Sequence, residues 1–351
     1  MLLVIVLFVI FLFVLIEVFG LGGSKSRLLS IIPFLLLWVT FSFNRYNNDY
    51  LDYSRLFVEY DLTGNFEFGY AYLVLFFYYF GFDHNAIIFL TGSLLLYVFF
   101  RKTKGVRYTS LVVFLYCLYP LYFDLNQIRN TIMYLLVFLS LSSIEYRQPV
   151  RHYIIIFLSF TIQKFSLVYL PFYTLCRASR KQFILAMFFG LVLVSLFSQF
   201  IISGLAWLYP SKMGSYLLRE PGFGVLIVFS YVFLDIFTIW WVDKKTRNRM
   251  SFLERNRVEI MYRFIWLTIL MLPFTFYFLE VKRMQRNAVL VKYIYCASLM
   301  PHMSFGDKMA TILLLLVSTF LPFLVVLYNN ELDDFNDLDE NFVAYLFGSI
   351  W

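Results

Sequence analysis

Four cations stand where so apolar a chain should not carry charge. They are Arg129 in DLNQIRN (124–130), Lys164 in IQKFS (162–166), and Arg283 and Arg286 in EVKRMQRN (280–287). Charge in or at the edge of hydrocarbon is costly, which makes each a functional candidate. Guanidinium forks match phosphate oxygens, and fixed cations stabilise a negatively charged leaving group. Brought together, the four would form a pocket for a phosphate or diphosphate. Asn126, Gln127 and Gln163 would add amide hydrogen bonds to it. The ordinary alternative for Arg129 is a helix-end arginine snorkelling to water.

A second set of side chains is acidic and aromatic. The stretch RYNNDYLDYSRLFVEYDLTGNFE (45–67) interleaves Asp49, Asp52, Glu59, Asp61 and Glu67 with Tyr46, Tyr50, Tyr53 and Tyr60. Rings stack on the apolar faces of sugars and carboxylates accept from their hydroxyls. A carboxylate can also take the proton from an attacking hydroxyl. Asp49 abuts the end of an apolar run, which makes it the candidate base, whereas a solvated loop would account equally for any single acid. The histidines His84, His152 and His302 fall in separate segments without metal spacing, and Cys117, Cys176 and Cys296 sit in apolar runs. No nucleotide-binding loop or serine-nucleophile elbow stands in a suitable context. Neither a metal nor any other cofactor is expected.

The elements that must position these groups cross a membrane. The 351 residues are 61% hydrophobic and 15% charged, against about 25% charged in soluble domains. Runs such as 183–207 and 311–328 can cross ~30 Å of hydrocarbon as helices, and their continuous apolarity excludes a barrel. The fold class is therefore an all-α polytopic membrane protein. A soluble nucleotide-sugar enzyme and a nucleic-acid partner are excluded, since the basic residues of such a chain mostly set topology. About twelve crossings are expected, among them 108–123, 129–144, 152–163, 165–176 and 288–304. The N-terminal run reads as a retained first helix.

One apolar stretch should not cross. If FEFGYAYLVLFFYYFGF (66–82) lies along the interface, as its aromatics allow, the basic loops all fall on one side. That side then carries 18 of the 29 Lys and Arg, the other 9, with Arg263 and Lys292 inside crossings. The richer side is cytoplasmic. The four polar clusters and the loop YPSKMGSYLLREPGF (209–223) would then share the outer side. Residues 1–328 read as a single transmembrane domain, with an outer loop and surface helix at 44–83, and 329–351 as an acidic tail.

These residues resemble a known family, the EpsG-type polysaccharide polymerases. The pattern Asn48-Asp49-Tyr50 with Tyr53, then FEFGY with Glu67 and Gly69, is similar to that family's start. Asn126, Ile128 and Arg129 match its N-x-[IL]-R-Q segment. IQKFSLVYLP resembles its F-H-K-S element, with Gln163 in place of the histidine and Asn130 in place of the glutamine after Arg129. SKMGSY, with Tyr216, and VKRMQRN resemble later, looser features. The resemblance covers roughly 30–300. It implies a Wzy-like enzyme of GT-C-like architecture in the bacterial inner membrane, with its active face outside. Such an enzyme joins repeat units carried on undecaprenyl diphosphate into O-antigen, capsule or exopolysaccharide. Its partners would be the lipid-linked glycan donor and acceptor and the bilayer, with a chain-length regulator as a further candidate. By the same resemblance Arg129 contacts the diphosphate, Lys164 and Ser166 occupy the H-K-S site, Arg283 assists and Asp49 is the base. Gln163 cannot shuttle a proton as a histidine would. The alternative is a lipid-linked glycan flippase, for which mid-membrane polar residues and internal repeats would be expected, and no such repeat is visible.

Overall fold

The computed structural model describes residues 2–20, 26–44, 53, 67–208, 224–277 and 282–333. Among the described residues every regular element is a helix. Five helices are long and apolar enough to cross a membrane: His84–Lys102, Ile128–Glu145, Arg180–Gly204, Glu254–Phe276 and Phe305–Pro322. Shorter apolar helices accompany them. The chain is a polytopic helical membrane protein in two compact units, Met1–Pro171 with Asn330–Trp351, and Phe172–Asn329.

The first unit contains α1 (Leu2–Val18), α2 (Ser26–Leu29), α3 (Ile31–Ser42), α4 (Phe68–Tyr79), α5 (His84–Lys102), α6 (Thr109–Leu118), α7 (Leu121–Asn126), α8 (Ile128–Glu145) and α9 (Pro149–Ile162). A 3-10 turn, Lys164–Tyr169, follows α9. Helix α8 is largely buried, packed by α5, α7, α9 and the 3-10 turn. Polar contacts define one end of the unit. Glu17, near the end of α1, accepts from the Ser110 amide and hydroxyl at the start of α6. Lys102 Nζ at the end of α5 donates to Ser142 Oγ near the end of α8, at 2.7 Å. The basic loops 101–107 and 145–151 belong to this end.

The opposite end gathers the starts of α4, α5 and α8 and the end of α9. Helix α4 has 12 residues and is about 18 Å long, short of ~30 Å of hydrocarbon. Both its ends stay at this end of the unit. Glu67, just before it, pairs with Arg129 on α8, and His84, just after it, stacks on Tyr53, which also bonds Arg129. The segment expected not to cross thus contains a short helix whose flanking residues, Glu67 and His84, both meet the Tyr53–Arg129 cluster. Gly69 permits this, because a Cβ there would lie 2.2 Å from Thr161 Oγ1 and 2.7 Å from the Thr161 carbonyl on α9.

The second unit contains α10 (Phe172–Arg177), α11 (Arg180–Leu208), α12 (Gly224–Thr246), α13 (Phe252–Leu267), α14 (Lys282–Leu299) and α15 (Phe305–Asp333), with a nine-residue 3-10 stretch, Thr268–Phe276, after α13. One end is a web of charge. Arg180 pairs with Asp243 at 3.0 Å, Lys245 with Asp307 at 2.9 Å, and Arg249 donates to the His302 carbonyl. Arg263 bonds Glu259 and the carbonyls of Leu175, Cys176 and Ala178, satisfying the last turn of α10. That is how one of the two intramembrane cations is accommodated. The start of α14 belongs to the other end.

Three expected crossings differ from the observed helices. The run 108–123 is divided between α6 and α7, because Pro120 has no amide to continue the ladder. The run 165–176 is a 3-10 turn and a six-residue helix separated by Pro171, and the boundary between the units falls there. Helix α14 is too polar to count as an apolar crossing, yet nearly every described side chain on it is buried by α12, α13 and the 3-10 stretch. Wrapped in protein, it has no need of an apolar surface.

Gly69→Ala forces α4 away from α9, an overpacking that costs about 1–3 kcal/mol. Thermal unfolding in detergent should show a lower midpoint as Glu67 shifts from Arg129. An unchanged midpoint would refute the close approach.

Candidate functional site

The stretch DLNQIRN is a helix, a break and a second helix. Helix α7 ends at Asn126, Gln127 takes φ −110° and ψ 60°, and α8 starts at Ile128. The break is held from below by Asp124, which is fully buried. Its Oδ2 accepts from the hydroxyls of Tyr116 at 2.6 Å and Tyr134 at 2.8 Å, which lie 3.0 Å from each other. Thr131 Oγ1 donates to the Asp124 carbonyl and to the Gln127 carbonyl, tying the two helices across the gap. Asp124 is thus a structural acid that fixes where α8 begins.

Restarting the helix there puts Arg129 in its first turn. The guanidinium donates through Nε to the Tyr53 hydroxyl at 3.2 Å and through NH1 to Glu67 Oε2 at 3.0 Å. Its carbon lies 5.9 Å from the centre of the Tyr53 ring and 5.8 Å from that of Tyr70. Tyr53 meets the Tyr70 ring edge-on and stacks on His84 at 5.3 Å. Two of the five guanidinium donors thus go to Glu67 and Tyr53, and two rings supply cation–π attraction. Arg129 is held by at least three side chains, Glu67, Tyr53 and Tyr70, rather than reaching out alone. Its side chain remains 22% exposed, so the pair is not sealed from solutes.

A second break lies close by in the same unit. Gln163 ends α9 in extended backbone, φ −152° and ψ 117°, two residues beyond the Thr161 that packs on Gly69. Gln163 is buried, Lys164 is exposed at the head of the 3-10 turn, and Ser166 is fully buried. The Ser166 hydroxyl lies 3.4 Å from the Ile156 carbonyl on α9, so it also fastens the turn to that helix. Asn126 is buried, and among the described residues its Oδ1 has no hydrogen-bond partner.

Glu67, Asn126, Gln127, Arg129, Gln163 and Lys164 therefore share one end of the first unit, away from its basic loops. Arg286 belongs to the second unit, where it is buried in the early turns of α14. Arg283 lies in the first turn of that helix, and its side chain, like Asp49 and Tyr216, is outside the described residues. Among the described residues no three His, Cys, Asp or Glu side chains gather to hold a metal ion.

Tyr70 and His84 were not marked by their sequence context as parts of this site, whereas Asp124, read with the rest of DLNQIRN as facing a charged substrate, is turned inward to two tyrosines. Tyr53 was marked, as a sugar-stacking ring, whereas here its hydroxyl serves the arginine. The FEFGY segment offered a signal for Tyr70, three residues after Glu67 and so about one helical turn away. The inward role of Asp124 offered none, because its tyrosine partners lie across the Pro120 and Gln127 breaks.

One family model, that of the EpsG family, matches residues 27–346. No curated protein and no solved structure matches the chain. With most of its length matched and its helices apolar and membrane-length, this multi-pass membrane protein of polysaccharide-polymerase type belongs to the EpsG family.

Proposed function

We propose that the protein joins undecaprenyl-diphosphate-linked oligosaccharide repeat units into a surface polysaccharide, on the outer face of the bacterial inner membrane. The observation that carries this reading is the Arg129 guanidinium, seated between Glu67 and Tyr53 at the end of its unit away from the basic loops. If those loops are cytoplasmic, Arg129 faces outward.

The chemistry needs one bond made and one broken. A hydroxyl oxygen of the acceptor's sugar attacks the anomeric carbon of the donor chain's reducing-end sugar. The bond from that carbon to the phosphate oxygen breaks, and undecaprenyl diphosphate leaves carrying the electron pair. The hydroxyl proton passes to a carboxylate, assigned to Asp49. Arg129 neutralises the charge developing on the departing phosphate. Glu67 holds this arginine, so an incoming diphosphate exchanges with a carboxylate and Arg129 is never left as an uncompensated charge. Lys164 supplies a second cation from the neighbouring break. The Asn126 oxygen and the Gln163 amide offer hydrogen bonds to sugar hydroxyls, and the buried Ser166 acts by holding the turn that carries Lys164. Arg286 and Arg283 contribute further phosphate contacts, and Tyr216 a sugar contact.

Arg129→Ala should abolish long-chain polymer on gels of surface glycan while the protein reaches the membrane at its usual level. Unchanged chain length would remove the diphosphate role. Asp49→Asn and Glu67→Gln separate the two carboxylates. Loss of a general base lowers turnover by about 10²–10⁴-fold, expected for Asp49→Asn with little change in KM. Glu67→Gln is expected to act mainly on the donor's KM. The opposite assignment of effects would make Glu67 the base.

A further inference from the structure

Lys292 is the most deeply buried cation of the chain among the described residues, its side chain 1% exposed in the middle of α14. Its ammonium donates to Asp235 Oδ1 on α12 at 2.5 Å and to Ser318 Oγ on α15 at 2.9 Å. Two further polar contacts join the same helices. The Tyr231 hydroxyl on α12 donates to Gln285 Oε1 on α14, and the Tyr293 hydroxyl shares a hydrogen bond with Thr319 Oγ1 on α15. Helix α14 is therefore indexed by polar rungs against two neighbours, within one unit.

Stability does not account for such a pair. Well-packed apolar residues in place of a buried ion pair are often neutral or stabilising, whereas one partner left alone is costly. An ion pair adds something apolar packing lacks, namely a penalty for every other register. Along α12 the rungs at Tyr231 and Asp235 are four residues apart, and along α14 those at Gln285 and Lys292 are seven apart. Both advance in the chain direction, so the two helices run parallel. A slip of one residue would turn α14 by about 100° and carry Gln285 and Lys292 away from their partners. Gln285 immediately precedes Arg286, and Arg283 stands two positions before it. The rungs thus decide which way the arginine-bearing turn faces.

We propose that Asp235, Lys292 and Ser318 are positioning residues, which hold α14 in the one register that presents Arg286 to the phosphates of the lipid-linked substrate. This rests on the reading of Arg286 as a phosphate contact. The ammonium is enclosed by α12 and α15 and does not touch substrate; it acts through Arg286. Displacement of a positioning element by about 1 Å can cost as much as ~100-fold in rate, so the pair's contribution should be visible in kinetics even where the fold is unharmed.

The test uses the purified full chain in lipid nanodiscs with a lipid-linked repeat unit as substrate, reading kcat/KM and the unfolding midpoint. The charge-free pair Asp235→Leu with Lys292→Met should unfold no earlier than the native protein, yet lose about 10- to 100-fold in kcat/KM. Arg286→Lys keeps the charge but loses the fork, leaving a measurable residual rate. In that background the charge-free pair should cost little more, since groups acting through one another are non-additive. Native kcat/KM in the charge-free pair would overturn the proposal, and so would a full loss repeated in the Arg286→Lys background. If Arg286→Lys and Arg286→Gln cost nothing themselves, the substrate reading of Arg286 fails first and is seen to fail separately. Ser318→Ala leaves both charges in place and keeps the test readable if the double variant does not insert. A several-fold loss would support the proposal, and native kinetics would contradict it.

Discussion

A charge carried within the hydrocarbon layer needs a partner in protein, because hydrocarbon supplies none. The ion pair between Arg129 and Glu67 meets that requirement and much of the first unit follows from it. Glu67 can reach Arg129 only if the start of α4 lies against the start of α8. That placement brings Gly69 against Thr161 and puts the α9 break at the same end of the unit as the arginine. Tyr53 and Tyr70 complete the enclosure, giving the guanidinium a hydrogen bond and two ring faces while leaving it open to exchange with a ligand of the same charge as Glu67.

The same constraint shapes the second unit by itself. Its most polar helix, α14, is also its most enclosed, and the cation at its centre is met by Asp235 and Ser318. Each unit thus wraps one helix that carries an arginine near its start, Arg129 on α8 and Arg286 on α14. Apolar faces are spent on the lipid-exposed helices, of which α11 is the clearest, its span only 11% buried. Charges at the opposite ends have a different task. Arg180, Arg263 and Lys245 pair with acids or cap carbonyls, the behaviour of residues that anchor helix ends.

Much of this was legible in the sequence, for a physical reason. Apolar runs of membrane length report helices directly, and the surplus of Lys and Arg in alternate loops reports their direction. The expectation that 66–82 does not cross rested on that surplus, and the segment contains the 12-residue α4. The exact helices were less legible wherever a partner distant in sequence decides the outcome. DLNQIRN looked like a polar cluster with one role, and it divides into Asp124, turned inward to two tyrosines, and Arg129, turned to Glu67. The site at Gln163 and Lys164 was visible as an interruption, but not that Ser166 would be spent on the Ile156 carbonyl. Helix α14 could not be ranked as a buried helix by composition, because its enclosure comes from α12 and α13.

If Arg129 exists to hold a lipid diphosphate, then the affinity for that headgroup must depend on its fork of donors. The most direct measurement is the dissociation constant of undecaprenyl diphosphate for the purified protein in nanodiscs, native against Arg129→Gln, at one fixed salt concentration. Charge-assisted hydrogen bonds to phosphate support a weakening of about 10- to 100-fold. Equal affinities for the two proteins would contradict the account.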